Sequence, residues 1–153
     1  MEIERKFLVK ETPSDLECYT SFDICQGYLD SGDPHVEKRV RRKGNKYFLT
    51  KKSKGLFVRD EKETEIPEKE FLRLWELARG IIEKKRYKIP FNGFVIELDI
   101  YHANLEGLVT AEVEFLSEKS AMEFICPLWF GKEVTNDKRY KNANLASYGL
   151  PTN

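Results

Sequence analysis

In one strand-length stretch after another, apolar residues of this chain alternate with charged residues of both signs, and that pattern restricts the fold more than any other feature. Glu2, Glu4, Lys6 and Leu8 share one face of the first stretch, against Ile3, Phe7 and Val9. Further on, Glu37, Arg39 and Arg41 oppose Val36 and Val40, and Phe48, Thr50 and Lys52 share a face, followed by Arg59, Glu61 and Glu63. Lys84, Arg86 and Lys88 stand together, Glu97 and Asp99 oppose Ile96, Leu98 and Ile100, and Glu112 and Glu114 oppose Val109, Ala111, Val113 and Phe115. Successive side chains of an extended strand point to opposite faces, so the alternation predicts strands. They fall at roughly 2–9, 22–30, 35–42, 46–53, 56–65, 81–89, 94–101 and 109–116. Turn signals separate several of them: Asp30-Ser31-Gly32-Asp33-Pro34, Lys43-Gly44-Asn45 and Phe91-Asn92-Gly93.

Helices are fewer. Pro67 suits a first helical position, ahead of apolar Phe71, Leu72, Leu74, Trp75, Leu77 and Ala78, with Gly80 as the stop. Ser117 with residues 120–124 predicts a second helix, and residues 136–146 a third. The fold class expected is α+β, mainly β: an eight-stranded antiparallel sheet closed into a barrel, with the helices packed outside.

A solvated outer face explains any one of these strands taken singly. It explains the set poorly, because solvated faces accept Ser, Thr and Gln as readily as charge, and here Glu, Asp, Arg and Lys dominate. A barrel with its charges turned inward fits better. Charges in such a lumen need water, mutual pairing or a charged ligand.

Composition narrows the ligand. Lys plus Arg equals Asp plus Glu at 26 each, so the formal net charge is zero. A general nucleic-acid binder usually carries a basic excess. The stretch 39–52, with Tyr47 and Phe48 among its cations, has the look of a single-strand surface, but the matching acidic strands would repel a phosphate backbone. Cys18, Cys25 and Cys126 are scattered and odd in number, which fits reduced thiols and not a zinc site. The chain opens on charges, and no stretch has the length to span a bilayer. A single domain over 1–153, cytoplasmic, monomeric or homodimeric, without nucleic-acid or membrane partners, is the expectation.

The charges themselves suggest chemistry. Glu2 and Glu4 stand about 6.5–7 Å apart on one strand face, and Glu112 with Glu114 repeats the device. Carboxylates are hard ligands suited to Mg2+ or Mn2+, which commonly share coordination with substrate phosphates. Lys6, Arg39, Arg41, Lys52, Arg59, Lys84 and Arg86 come from several strands, and guanidinium groups hold phosphate oxygens bidentately. A linear polyphosphate would satisfy both sets, and metal plus cations would stabilise charge on a leaving phosphate.

Glu2-Ile3-Glu4-Arg5-Lys6 resembles the ExExK signature of the CYTH superfamily, the triphosphate tunnel metalloenzymes. The resemblance continues through Gln26-Gly27-Tyr28-Leu29, Arg39-Val40-Arg41, Thr50-Lys51-Lys52-Ser53, Arg59 with Glu61 and Glu63, and Glu83-Lys84-Lys85-Arg86-Tyr87. It extends to Glu97-Leu98-Asp99, Glu112-Val113-Glu114-Phe115-Leu116, Trp129-Phe130-Gly131 and Asp137-Lys138-Arg139-Tyr140. It implies an eight-stranded tunnel whose Glu2, Glu4, Glu112 and Glu114 hold divalent cations while Lys6, Arg39, Arg41, Lys52, Lys84 and Arg86 cradle a triphosphate. It also implies Asp99 as an additional metal ligand, Glu61 and Glu63 as ligands or orienters of a second metal, and Tyr28 as a proton acceptor in some members.

A tyrosine with an ordinary pKa near 10 is a poor base unless cations lower it, so Tyr28 has hydrogen bonding to a lumen charge as its other reading. Within the family the chain is most similar to small bacterial inorganic tripolyphosphatases. A class IV-type adenylate cyclase, a thiamine triphosphatase and a non-catalytic polyphosphate-binding module are the rivals. His35 and His102 read as surface residues and Trp75 as core. The stretch from Asp137 to Asn142 reads either as a solvated helix or as one packed near a tunnel mouth with a lumen contact from Lys138.

Overall fold

The computed structural model describes residues 3–53 and 61–152. Nine strands form one antiparallel sheet: β1 Ile3–Val9, β2 Thr20–Leu29, β3 Val36–Lys43, β4 Lys46–Ser53, β5 Glu61–Glu65, β6 Gly80–Phe91, β7 Phe94–Tyr101, β8 Val109–Phe115 and β9 Phe130–Glu133. The first eight are the strands that the alternation predicts. β9 has only four residues, too few for alternation to register, and it pairs with β1 from the far side. The hydrogen-bonded order is β5-β4-β3-β2-β6-β7-β8-β1-β9. Among the described residues no pairing joins β5 to β9, so the ladder is a nine-stranded run with two ends where eight strands in a closed ring were expected.

Short turns fix the registers. Asn92 and Gly93, with φ of 49° and 83°, turn β6 into β7, the left-handed pair that a two-residue hairpin demands. Between β3 and β4 only Gly44, at φ 61°, is left-handed, the other common two-residue hairpin geometry with glycine first.

One sheet face is apolar and carries two helices. Helix α1, Glu68–Trp75, lays Phe71 and Leu74 on Val40 and Leu49. It ends at Trp75, short of Gly80, and Trp75 packs half-buried in that cluster. Pro67 stands just before the first helical residue. Helix α2, Glu118–Glu123, is capped by Ser117, whose hydroxyl accepts from the Ser120 amide at 3.0 Å. The following Phe124 sits among Phe91, Phe94, Phe115 and Phe130 at centroid distances of 5.3–6.2 Å. Each such ring is worth about 1.5–3 kcal/mol on burial.

The third predicted helix is divided. Lys138–Tyr140 forms a 3-10 turn, Lys141 is extended, and helix α3 runs Asn142–Tyr148. Contrary to the expectation of helices outside only, α3 packs on the charge-bearing face, where Leu145 joins Ile82, Tyr101, Leu105 and Leu108. Gly80 makes this approach possible: a Cβ there would lie 2.7 Å from the Ala146 carbonyl oxygen. Gly80 therefore opens β6 beneath α3 and does not terminate α1.

Candidate active site

Directly opposed residues of paired strands share a face. The registers place Lys6 opposite Glu112, Glu112 opposite Glu97 and Glu97 opposite Lys88. Glu4 faces Glu114, Asp99 faces Arg86, and Lys84 stands one step along the same strand. On the other wing Tyr28, Arg39, Thr50 and Glu63 stand in line, flanked by Gln26 with Arg41 on one side and by Glu37, Lys52 and Glu61 on the other. All the candidate residues within the described chain thus share one face. Glu2 and Arg59 lie outside the described residues.

Among the described residues the most buried charged side chains are those of Lys84 and Asp99, at 1% and 3% exposure. Lys84 Nζ is 2.9 Å from Asp99 Oδ2, while Arg86 Nε donates to Oδ1 at 2.8 Å and Nη2 to Oδ2 at 2.9 Å. Burial by itself would raise the Asp99 carboxyl, but the Lys84 charge and the Arg86 hydrogen bonds hold it down at about 2. Both of its oxygens are engaged by the cations Lys84 and Arg86. Its position is that of a counter-ion locking two cations in place. Arg86 also reaches Glu97 at 3.3 Å.

Glu61 and Glu63 likewise face arginines. Arg39 lies 3.4 Å from both Glu61 and Glu37, and Arg41 lies 3.2 Å from Glu63, which also accepts from Thr50 Oγ1 at 3.3 Å. Yet these arginines are incompletely satisfied. Among the described residues, the buried side-chain nitrogens and oxygens left without a partner are Arg39 Nε and Arg41 Nε. A buried donor without an acceptor costs about 1–3 kcal/mol, so the pair is poised for an incoming anion. Burial, and then the neighbouring Arg39 charge, lowers the Arg41 pKa in the same sense.

Lys6 is held by backbone: its Nζ donates to the Tyr140 carbonyl at 2.6 Å. Burial lowers its pKa, opposed by Glu112, Asp99 and Glu4. The Tyr28 hydroxyl accepts from Gln26 Nε2 at 2.7 Å, and burial drives its pKa to about 12 despite the Arg39 charge. A phenol raised this far is protonated at neutral pH, which opposes the proton-acceptor role and favours hydrogen bonding.

Glu4, Glu112 and Glu114 present hard oxygen donors on facing positions of β1 and β8, the chemistry that Mg2+ or Mn2+ prefers. Among the described residues no three carboxylates, histidines or cysteines already gather as a metal cluster. The donor type and pairing fit a divalent cation.

The partners of these groups were the less legible part. Glu97 and Gln26 each lie two residues from a site residue on the same face, a signal that alternation did contain. The Tyr140 carbonyl carried no signal, being backbone. The clamp behind β1 was also missed: Arg5 pairs bidentately with Glu133 at 2.9 and 2.7 Å and donates to the Ala121 carbonyl. Thr135 accepts from the Lys6 amide at 3.0 Å and donates to Glu133. Lys138 contributes its carbonyl to Asn144, so the C-terminal stretch packs on the site through Tyr140 and α3. His35 and His102 are exposed.

No protein-family model matches the chain. It is 47% identical to an inorganic triphosphatase of Nitrosomonas europaea over 95% of this chain and 96% of that one. An inorganic triphosphatase of Acetivibrio thermocellus is 39% identical, over 94% and 92% of the two chains. A crystal structure of an inorganic triphosphatase superposes with a TM-score of 0.80 at 42% identity, covering 99% of this chain and 97% of the other. With these relatives matched nearly end to end on a sheet that gathers both charge sets on one face, the chain belongs to the inorganic triphosphatases of the triphosphate tunnel metalloenzyme (CYTH) superfamily.

Proposed function

We propose that this chain, acting as one domain, hydrolyses inorganic tripolyphosphate to pyrophosphate and phosphate within a tunnel into which its sheet curls. Burial supports the curling. Gln26, Thr50, Lys84, Asp99 and Thr110 all stand on the polar face and are all almost wholly buried, which a flat sheet covered only by α3 would not achieve.

The observation that carries the substrate assignment is the pair of partnerless donors Arg39 Nε and Arg41 Nε. The chain leaves unmade the very hydrogen bonds that phosphate oxygens would complete. Lys84 and Arg86, held by Asp99, cannot swing away, so they offer fixed positive charge to the negative charge that develops on the leaving phosphate. Lys6, anchored on the Tyr140 carbonyl between Glu112 and Glu4, neutralises a further phosphate. Lys52 lies on the same face beside Glu37 and Glu61. In this reading Glu37, Glu61 and Glu63 orient the arginines, and Tyr28 with Gln26 supports Arg39.

Glu4, Glu112 and Glu114, with Glu2, would hold a divalent cation, Mg2+ or Mn2+. When bound it supplies a Lewis acid that neutralises phosphate charge and acidifies water. With Tyr28 protonated and Glu37, Glu61 and Glu63 engaged by Arg39 and Arg41, water activation falls to the carboxylates of β1 and β8.

The test offers purified protein tripolyphosphate, thiamine triphosphate and ATP with Mg2+ or Mn2+, following phosphate, pyrophosphate and cyclic AMP. Phosphate from tripolyphosphate should far exceed the other products. Cyclic AMP with pyrophosphate as the main products would overturn the assignment in favour of a cyclase.

A further inference from the structure

The cation stripe of β6 has a direction. Ile82 is sealed under α3, and exposure then rises from 1% at Lys84 through 13% at Arg86 to 42% at Lys88. The strand thus leads from a closed end to an open mouth in steps of about 6.5–7 Å. At that mouth, where β3 ends, stands Lys43, directly opposite Lys46 across the hairpin. Phe22 of β2 lies between the two cation strands, with Lys43 Nζ 4.9 Å and Lys88 Nζ 5.9 Å from its ring centroid.

None of these residues serves the triphosphate cradle, yet they gather cations in excess. Beyond the effect of burial, the charges of Lys88, Arg41 and Arg86 bear on Lys43, with Glu97 opposing. Glu97 lies 3.8 Å from Lys88 and is already engaged by Arg86. Like charges brought together in this way repel, unless an anion joins them. The face of Phe22 is taken up by ammonium groups, so the mouth offers charge and not a bare ring on which a nucleobase could stack.

We propose that Phe22, Lys43 and Lys88 form an entrance subsite for the fourth phosphate of a linear polyphosphate whose inner three phosphates lie in the cradle. The inference rests on the tripolyphosphatase reading and extends its substrate class to longer inorganic chains. Phe22 places the two ammonium groups through cation–π contact, and they hold the phosphate that trails out of the sealed-ended site.

The test compares tripolyphosphate and tetrapolyphosphate with the wild-type chain and Lys43→Gln/Lys88→Gln, both as turnover with Mg2+ and as calorimetric binding in EDTA, where nothing turns over. In turnover, the double variant should raise KM for tetrapolyphosphate about tenfold and that for tripolyphosphate less than threefold, with kcat little changed. In binding, wild type should favour tetrapolyphosphate about tenfold, and the variant should lose that preference. Equal losses on both ligands, no loss on either, or equal wild-type affinities for the two would overturn the subsite. A wild-type preference for tetrapolyphosphate with no hydrolysis of either compound would support the subsite and overturn the enzymatic reading. ATP serves as the control: a loss of ATP affinity as large as that of tetrapolyphosphate would show a mouth indifferent to the trailing group and would also overturn the proposal.

Discussion

Lys84 Nζ and Asp99 Oδ2 lie 2.9 Å apart with both side chains almost wholly removed from solvent, and Arg86 closes the same carboxylate from the other side. Removing one partner of a buried pair leaves its charge uncompensated, at a cost of about 3–5 kcal/mol. Asp99→Ala should therefore lower stability by that order in denaturant melts, and added tripolyphosphate should recover more stability in the variant than in wild type. An unchanged midpoint would mean that the carboxylate does not neutralise these cations.

The same carboxylate sets an acid limit. Its pKa in the folded chain, about 2, lies below the ordinary 3.8, so folding favours the ionised form. The stabilisation is fully present above about pH 4 and is lost as pH falls through 2. Asp99→Asn should start less stable at neutral pH and lose less between pH 4 and 2, as followed by circular dichroism on acid titration. Parallel acid limbs for the two proteins would refute the linkage.

Tyr28→Phe tests the proton-acceptor role. Loss of a general base typically costs 10²–10⁴-fold in rate, whereas loss of a hydrogen bond to Gln26 and Arg39 should cost less than about tenfold. The expected result is a modest drop with an unchanged pH–rate profile. A collapse of kcat together with loss of the limb along which rate rises with pH would restore the base.

Arg41→Lys keeps the charge and deletes the Nε donor. If that donor waits for phosphate, tripolyphosphate affinity should fall by about tenfold while the fold stays intact. Isothermal titration in EDTA reads this directly, and an unaltered affinity would place the phosphate elsewhere.

Glu4→Gln and Glu114→Gln should each abolish most turnover and raise the metal concentration needed for half activity, with the circular dichroism spectrum preserved. Chelation of wild type should mimic the loss and re-addition of Mg2+ or Mn2+ should reverse it. Full metal-dependent activity in both variants would displace the metal from this pair.

How far the sequence carried can be judged from particular elements. Alternation fixed β7 at residues 94–101 to the residue, because one face meets Phe115, Phe124 and the outer core while the other meets charge. The short β9 was invisible, since four residues hold too little periodicity, and Phe130 is recognised as core only once it meets Phe7. The single helix expected over 136–146 is divided at the extended Lys141, and the carbonyl of Tyr140 just before it accepts from Lys6.

By itself the sequence determined the first eight strands, the face on which each charge stands and hence the ligand class, because strand period two is a local rule of backbone geometry. Which charge meets which was decided only by the tertiary structure. Register between strands distant in the chain brought Asp99 to Lys84 and Arg86, set Glu61 and Glu63 against arginines, and buried Tyr28 beside Gln26, which pushes its phenol up. Pair distances and desolvation depend on neighbours that no local pattern contains, and those quantities separate a metal ligand from a counter-ion.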